Sequence, residues 1–326
     1  MIPALDVLVS SPFPIDSLQG NSVSARRIAR RLRAAGLEAE ARHGYEDENA
    51  AALIALHSRR GLPAITAYRK RYPARPIITV LTGSDLYKDL PAGRRDVLEG
   101  MELADALVTY QEASLADVPA PFRDKAITIW KSVELPMPDS DALHPPPQSP
   151  VTFTLLAHLR EIKDPFLAAR ALAHVPATPA VRIQHFGSTL DESLRETGRD
   201  WMRRDPRYLL DDARPREAVA ATIAASHATI NSGRAEGGSN AVCESIVLST
   251  PVLATRTPAN IRFLGEDYGG FFPVGDERAL ATLIGACAQP DGQLLRSLAG
   301  QVEARAPLFT PESESAGWRG LLEKLL

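Results

Sequence analysis

The segment Glu236-Gly-Gly-Ser-Asn-Ala-Val-Cys-Glu244 sets two carboxylates with seven residues between them, including two glycines and a Ser-Asn pair. Residues 228–231 before it read as a strand, 241–248 after it as a helix, and 252–255 as a further strand. A strand, a glycine turn and a helix start together make an anion site. The first-turn N–H groups have no intrahelical partners, and the helix dipole points at the ligand. Gly237 and Gly238 allow backbone to approach a phosphate closely, and Ser239 or Asn240 suits the helix cap. Neither glutamate suits a phosphate, because like charges repel, but both can accept from hydroxyls. A ligand with hydroxyls on both sides of a diphosphate is a nucleotide sugar. A capped helix with two solvated glutamates would use the same residues, so the choice turns on the rest of the chain.

A second group precedes this one. In Ala157-His-Leu-Arg160-Glu-Ile-Lys163-Asp-Pro165, Arg160 and Lys163 straddle a loop whose Asp164-Pro165 marks a helix start. Two cations beside a helix start form a phosphate clamp, although paired basic loop residues also occur without one. With the Gly238–Asn240 amides they would meet a diphosphate, and Gly187, just past strand 181–186, joins this donor-binding set. Earlier in the chain, strand ends offer Gly20-Asn21, His57 and Thr82-Gly-Ser-Asp85. His57 follows the apolar run 52–56. It would orient a sugar or donate to a leaving phosphate, or serve as a structural histidine bonded to backbone. Asp85 would accept from a sugar hydroxyl or close an Asx-turn.

The elements that must carry these residues alternate. Strands are expected at 5–10, 37–42, 52–56, 77–81, 106–110 and 126–130, with helices at 22–35, 62–71 and 93–104 between several of them. The helix at 22–35 has an apolar stripe of Ala25, Ile28, Ala29, Leu32 and Ala35. Its basic face reads as a solvated outer face, except for Arg26 in the first turn. Residues 139–150, DSDALHPPPQSP, fit neither helix nor central strand. Alternation then resumes with strands at 153–156, 181–186, 208–210, 228–231, 252–255 and 271–274, and helices at 165–173, 192–203, 215–225 and 276–288. Such alternation implies parallel sheets covered by helices. The expected organisation is a Rossmann-like acceptor domain over 1–140, a linker over 141–150, a Rossmann-like donor domain over 151–310, and a C-terminal helix over 311–326. Ligands of such sheets bind beyond the carboxyl ends of the strands.

Composition narrows the function classes. A chain of 326 residues, 44% hydrophobic and 24% charged, is globular and long enough for two cores. A net charge of −3 gives no support to nucleic acid as a partner. The two cysteines, Cys243 and Cys287, form neither a disulfide framework nor a metal-ligand spacing, which fits a reducing cytoplasm. Cys243 reads as a small buried helix residue rather than a nucleophile. No run reaches the roughly 18–20 apolar residues of a membrane span. Residues 1–12 lack a basic segment and carry Asp6, so they read as a first strand and not a signal peptide. No metal or cofactor is expected, and nothing requires more than a monomer.

The Glu236–Glu244 spacing, with Arg160 and Lys163 in the preceding loop, resembles the GT4-like group of GT-B glycosyltransferases. That resemblance implies two Rossmann-like domains facing across a cleft, with the C-terminal helix crossing back to the first. It implies that Glu236 faces the donor sugar and Glu244 the ribose, that Arg160 and Lys163 hold the diphosphate, and that Gly237 and Gly238 approach the donor. Longer phrases are similar to the selenosugar synthases of selenoneine biosynthesis over nearly the whole chain. They are GNSVSARRIARRLRAAG, ALHSRRGLPAITAYRKRYPARPIITVLTGSDLYKDL, HLREIKDPFLAARAL, EGGSNAVCESI and EDYGGFFPVGD. This implies UDP-N-acetylglucosamine (or UDP-glucose) as donor, selenophosphate as acceptor, a carbon–selenium bond at the anomeric carbon, loss of phosphate, and a product passed to other selenoneine-pathway enzymes. There are two departures from the GT4 pattern. Gly238 stands where an aromatic is usual, and the glycine-rich loop after the first strand is reduced to Gly20. A small anionic acceptor needs cations, and Gly20, Asn21, Arg26 and Arg59, with Arg60 and Lys88 nearby, are the acceptor-binding candidates. His57, Asp85 and Glu236 are the catalytic candidates. No Asp–His pair is legible from spacing, which suits a soft selenium nucleophile that needs no strong base.

Overall fold

A computed structural model describes residues 5–17, 19–135, 150–178, 180–189, 191–234 and 239–326. The chain divides into two compact units, Met1–Ser132 with Thr310–Leu326, and Val133–Phe309. The first crossing lies at Ser132–Val133, ahead of the expected boundary at 140. Most of the expected linker falls in 136–149, outside the described residues.

In the first unit, β1 (Leu5–Ser11) leads to α1 (Gly20–Ala34), β2 (Ala39–His43) and β3 (Ala50–Leu56). Then come α2 (Leu62–Arg71), β4 (Ile77–Val80), α3 (Arg95–Leu103), β5 (Ala106–Thr109), α4 (Ala113–Asp117) and β6 (Ala126–Thr128). The strand order is β2-β1-β3-β4-β5-β6, and every pairing is parallel. β3 reads AAALIAL and is buried at every position but one, as a strand covered on both faces must be. The chain leaves β1 toward one edge and β3 toward the other. The loops after these two strands therefore border the crevice of the sheet.

The second unit runs β7 (Val151–Leu156), α5 (Leu167–Ala171), β8 (Val181–Phe186), α6 (Glu192–Arg204), β9 (Tyr208–Asp211) and α7 (Arg216–Ala224). It continues with β10 (Ala228–Asn231), α8 (Asn240–Val247), β11 (Val252–Thr255), α9 (Pro258–Leu264), β12 (Phe271–Phe272), α10 (Glu277–Cys287) and α11 (Gln293–Glu303). Its order is β12-β11-β10-β7-β8-β9, again parallel throughout. The reversal here lies between β7 and β10, so Arg160, Lys163 and the turn before α8 leave from neighbouring strands.

The last helix, α12 (Pro311–Leu325), belongs to the first unit and packs on α1. Glu314, 1% exposed, is its anchor. It accepts from Arg27 Nε at 3.1 Å, Ser132 N at 2.7 Å, Ser132 Oγ at 2.5 Å and Trp318 Nε1 at 3.4 Å. On the other side of the crossing, Val133 N donates to Phe309 O at 2.9 Å.

Three local features differ from expectation. Helix α5 starts at Leu167, two residues later than expected, and Asp164 ahead of it takes a left-handed φ of 41°. Residues Asp85–Asp89 form a single π-helical turn, and α9 and α11 are additional helices. No helix among the described residues is long and apolar enough to cross a membrane.

Candidate functional site

Each unit carries a cluster at its sheet crevice. In the second unit the loops after β7 and β10 are stitched together. Ser232 Oγ donates to Lys163 O at 2.9 Å and Asp164 O at 3.1 Å, and Arg234 N donates to Ile162 O at 2.8 Å. The buried Asp164 carboxylate holds Arg170 at 3.0 Å through one oxygen and Arg234 at 3.1 Å through the other. Arg160 is exposed beside them. It lines a pocket of about 590 Å³, together with Glu161 and Ile162 from its own loop and Ser188, Thr189 and Asp191 from the loop after β8.

The start of α8 is held from behind. Ser239 caps it by accepting from Val242 N, and Asn231 Nδ2 donates to Ser239 Oγ at 3.0 Å. Asn260 Nδ2 in turn donates to Asn231 Oδ1 at 3.0 Å. Residues 235–238 lie outside the described residues, so Glu236, Gly237 and Gly238 are not placed. Asn240 is the first residue of α8. Glu244, 5% exposed, pairs with Arg216 Nη1, and Arg216 Nη2 also donates to Glu134 O at 3.1 Å. Gly187 has a packing role: a Cβ there would sit 1.9 Å from Ala157 O. Beneath this contact the buried His185 accepts from or donates to Tyr208 Oη at 2.7 Å and meets Ala157 O at 2.8 Å. Ala157 O accepts only, so Nε2 carries the proton and Nδ1 accepts from the phenol. Burial pushes the imidazole down to about 4, partly opposed by its bond to Ala157.

In the first unit the structure brings together an Asp–His pair that spacing does not make legible. His57, 1% exposed, has φ +72° and brings Nδ1 to 2.7 Å from Asp85 Oδ1. Its Nε2 lies 3.0 Å from Ser84 Oγ and 3.6 Å from Asp89 Oδ2. The contact to Asp85 is bent from the ring N–H axis, so Oδ1 has no aligned donor among the described residues. With the proton on Nδ1 facing Asp85, Nε2 is left to accept from Ser84. Arg60 N also approaches Nδ1, at 3.4 Å. Asp85 Oδ2 accepts from Thr82 N at 2.8 Å, three residues back, and this is not the bond of an Asx-turn, which would run to the residue two ahead. Spacing failed to show the pair because β3 and β4 are adjacent only in the sheet.

Asp89 also binds Arg59 Nε at 2.8 Å. Among the described residues the Arg59 side chain makes no other hydrogen bond, so its two Nη groups remain available. The turn after β3 is fixed by two glycines. A Cβ on Gly61 would lie 2.9 Å from His57 O, and one on Gly100 2.5 Å from Ser58 O. Gly20 and Asn21 open α1, whereas Arg26 is taken up by loop carbonyls, those of Ile15 and, at 3.2 Å, Ser17. Arg60 stacks over Phe13 at 5.1 Å, joining the loops after β3 and β1. Sequence reading missed Ser84, Asp89, Arg216 and Arg234. Ser84 stood beside Asp85 in the quoted turn, but its partner is set by the fold.

No family model matches the chain. Solved structures do resemble it over its whole length. HepE of Anabaena in complex with UDP and glucose aligns at a TM-score of 0.76 with 14% identity, covering 98% of this chain and 100% of that one. Sucrose-phosphate synthase of Thermosynechococcus elongatus aligns at 0.75 with 14% identity, covering 98% of both. A glycosyltransferase of Rickettsia africae aligns at 0.73 with 10% identity, covering 99% of both. The fold is GT-B.

Proposed function

We propose that the chain is a UDP-sugar-dependent glycosyltransferase that transfers N-acetylglucosamine to selenophosphate. Selenium attacks the anomeric carbon, the carbon–oxygen bond to UDP breaks, and UDP leaves with its electron pair. Hydrolysis of the phosphorus–selenium bond then gives the selenosugar. The observation that carries the donor half is full-length likeness to a fold crystallised with UDP and glucose, joined to the Arg160 pocket beside the loop after β7 and the capped start of α8 after the neighbouring strand β10. Arg160, Lys163 and the helix-start amides stabilise the leaving diphosphate. Glu236 takes the sugar and Glu244 the ribose once Arg216 moves aside. The acceptor half rests on the long phrases similar to selenosugar synthases. It is supported by the open guanidinium of Arg59, a fork suited to an oxyanion.

A hydroxyl acceptor is the second reading, favoured by one observation. The His57–Asp85 pair would supply a base, which a hydroxyl needs more than the more acidic selenium nucleophile does. UDP release from UDP-N-acetylglucosamine, measured with and without selenophosphate and followed by a mass spectrum of the product, separates the two. Selenophosphate-dependent release with a selenium-bearing sugar is expected. Release that needs a hydroxyl acceptor instead would overturn the selenium reading.

A further inference from the structure

The cluster after β3 and β4 contains more than a positioned histidine. Asp85 Oδ1, His57 Nδ1, His57 Nε2 and Ser84 Oγ follow one another at 2.7 and 3.0 Å across the ring. Asp85 is fully buried and His57 nearly so, whereas Ser84 is half-buried. The histidine therefore reaches no ligand by itself, and Ser84 is its contact with the crevice. A carboxylate fixing Nδ1–H, with Nε2 turned to a hydroxyl, is the arrangement that makes a hydroxyl a proton carrier. A left-handed φ at a non-glycine residue, together with a π turn, costs backbone energy that elements of a packed core do not otherwise spend.

We infer that Ser84, His57 and Asp85 form a proton relay that ionises the acceptor, and that Arg59 holds that acceptor through its free Nη groups. The inference rests on the transferase reading above and names the group that activates its acceptor. As the acceptor attacks, its proton passes to Ser84 Oγ while the Ser84 hydroxyl proton passes to His57 Nε2. The freed electron pair of the acceptor forms the bond to the anomeric carbon, and the pair of the broken carbon–oxygen bond leaves on UDP. The imidazolium so formed lies between Asp85 and Asp89, which stabilise it. Asp89 is a positioning residue. It holds Arg59 by Nε alone and stands 3.6 Å from the nitrogen that gains the proton. The substrate class is an acceptor with an ionisable proton, which selenophosphate and a sugar hydroxyl share.

The test uses the full chain. With whichever acceptor supports UDP release, Ser84→Ala should lower kcat on the order of 100-fold with the KM for UDP-N-acetylglucosamine kept, and Ser84→Thr should restore much of the loss. Nitrogen-resolved imidazole spectra without substrate give a readout independent of turnover: His57 should be protonated at Nδ1, with an Nε2 signal that shifts in Ser84→Ala. A proton on Nε2 instead, or a Ser84→Ala protein matching wild type in rate, would overturn the relay. Release that depends on a hydroxyl and not on selenophosphate, but still collapses in Ser84→Ala, would overturn the acceptor proposed above and support the relay.

Discussion

At the scale of single residues, two ionisable groups make separate predictions. Glu244 is committed to Arg216 in the ligand-free chain, although the proposed donor needs it for the ribose. Glu244→Ala should weaken UDP binding about 10-fold, or roughly 1.4 kcal/mol. Arg216→Ala should leave UDP binding equal or tighter, because it removes a competitor. Calorimetric titration with UDP measures both, and weaker binding in Arg216→Ala would mean that arginine contacts the nucleotide. His185 bears on stability rather than function. Its pKa is depressed from 6.5 to about 4 in the fold, so below pH 6.5 the unfolded chain takes a proton that the folded chain refuses. Stability therefore declines as pH falls from 6.5 toward 4, by on the order of 3 kcal/mol, and the slope ends once both states are protonated. Urea unfolding at pH 7 and 4.5 should show this loss in wild type and a smaller one in His185→Gln.

At the scale of elements, close approach decides which glycines matter. Gly187→Ala would drive a methyl into Ala157 O and should cost about 2 kcal/mol or more. Gly285→Ala, in the interior of α10 with nothing within 4 Å, should stabilise by about 0.5–1 kcal/mol. Thermal unfolding of the two variants compares them, and equal midpoints would refute the packing argument. The same distinction explains what sequence could reveal. The strands at 181–186, 228–231 and 252–255 and the helix at 62–71 were legible, because apolar period and turn residues are local signals. The start of α5 was not, because Asp164 is held left-handed by arginines distant in sequence as well as near. Nor was the contact of His57 with Ser84 and Asp85. The turn carrying Thr82-Gly-Ser-Asp85 was visible, but its neighbour across the sheet is a consequence of strand order. Arg160 and Lys163 stand out in the sequence by charge alone. Their nearness to the α8 turn follows from β7 pairing with β10, which no spacing encodes.

At the scale of the whole molecule, the first unit is completed by a helix from the far end of the chain. Glu314 is almost without solvent and has Arg27, Ser132 and Trp318 as donors. Glu314→Ala strands the Arg27 guanidinium in that interior and should cost about 3–5 kcal/mol. Glu314→Gln, which keeps the shape and the neutral acceptor, should cost less. Denaturant midpoints order the three proteins, and a Glu314→Ala protein as stable as wild type would show that α12 does not depend on this contact.

The placement of that anchor also sets an order of events in time. Arg27 and Glu314 are 287 residues apart, so α1 is synthesised long before its partner exists. The second unit, by contrast, runs without interruption from Val133 to Phe309, and its two ends meet through a backbone hydrogen bond. On a ribosome, where domains fold as units while the chain emerges, the later-made half can finish first. The earlier-made half must wait with the α1 surface uncovered until the final helix is released. A chain stalled before Thr310 would hold a completed second unit and an unfinished first one, with the α1 surface that α12 covers left open to chaperones.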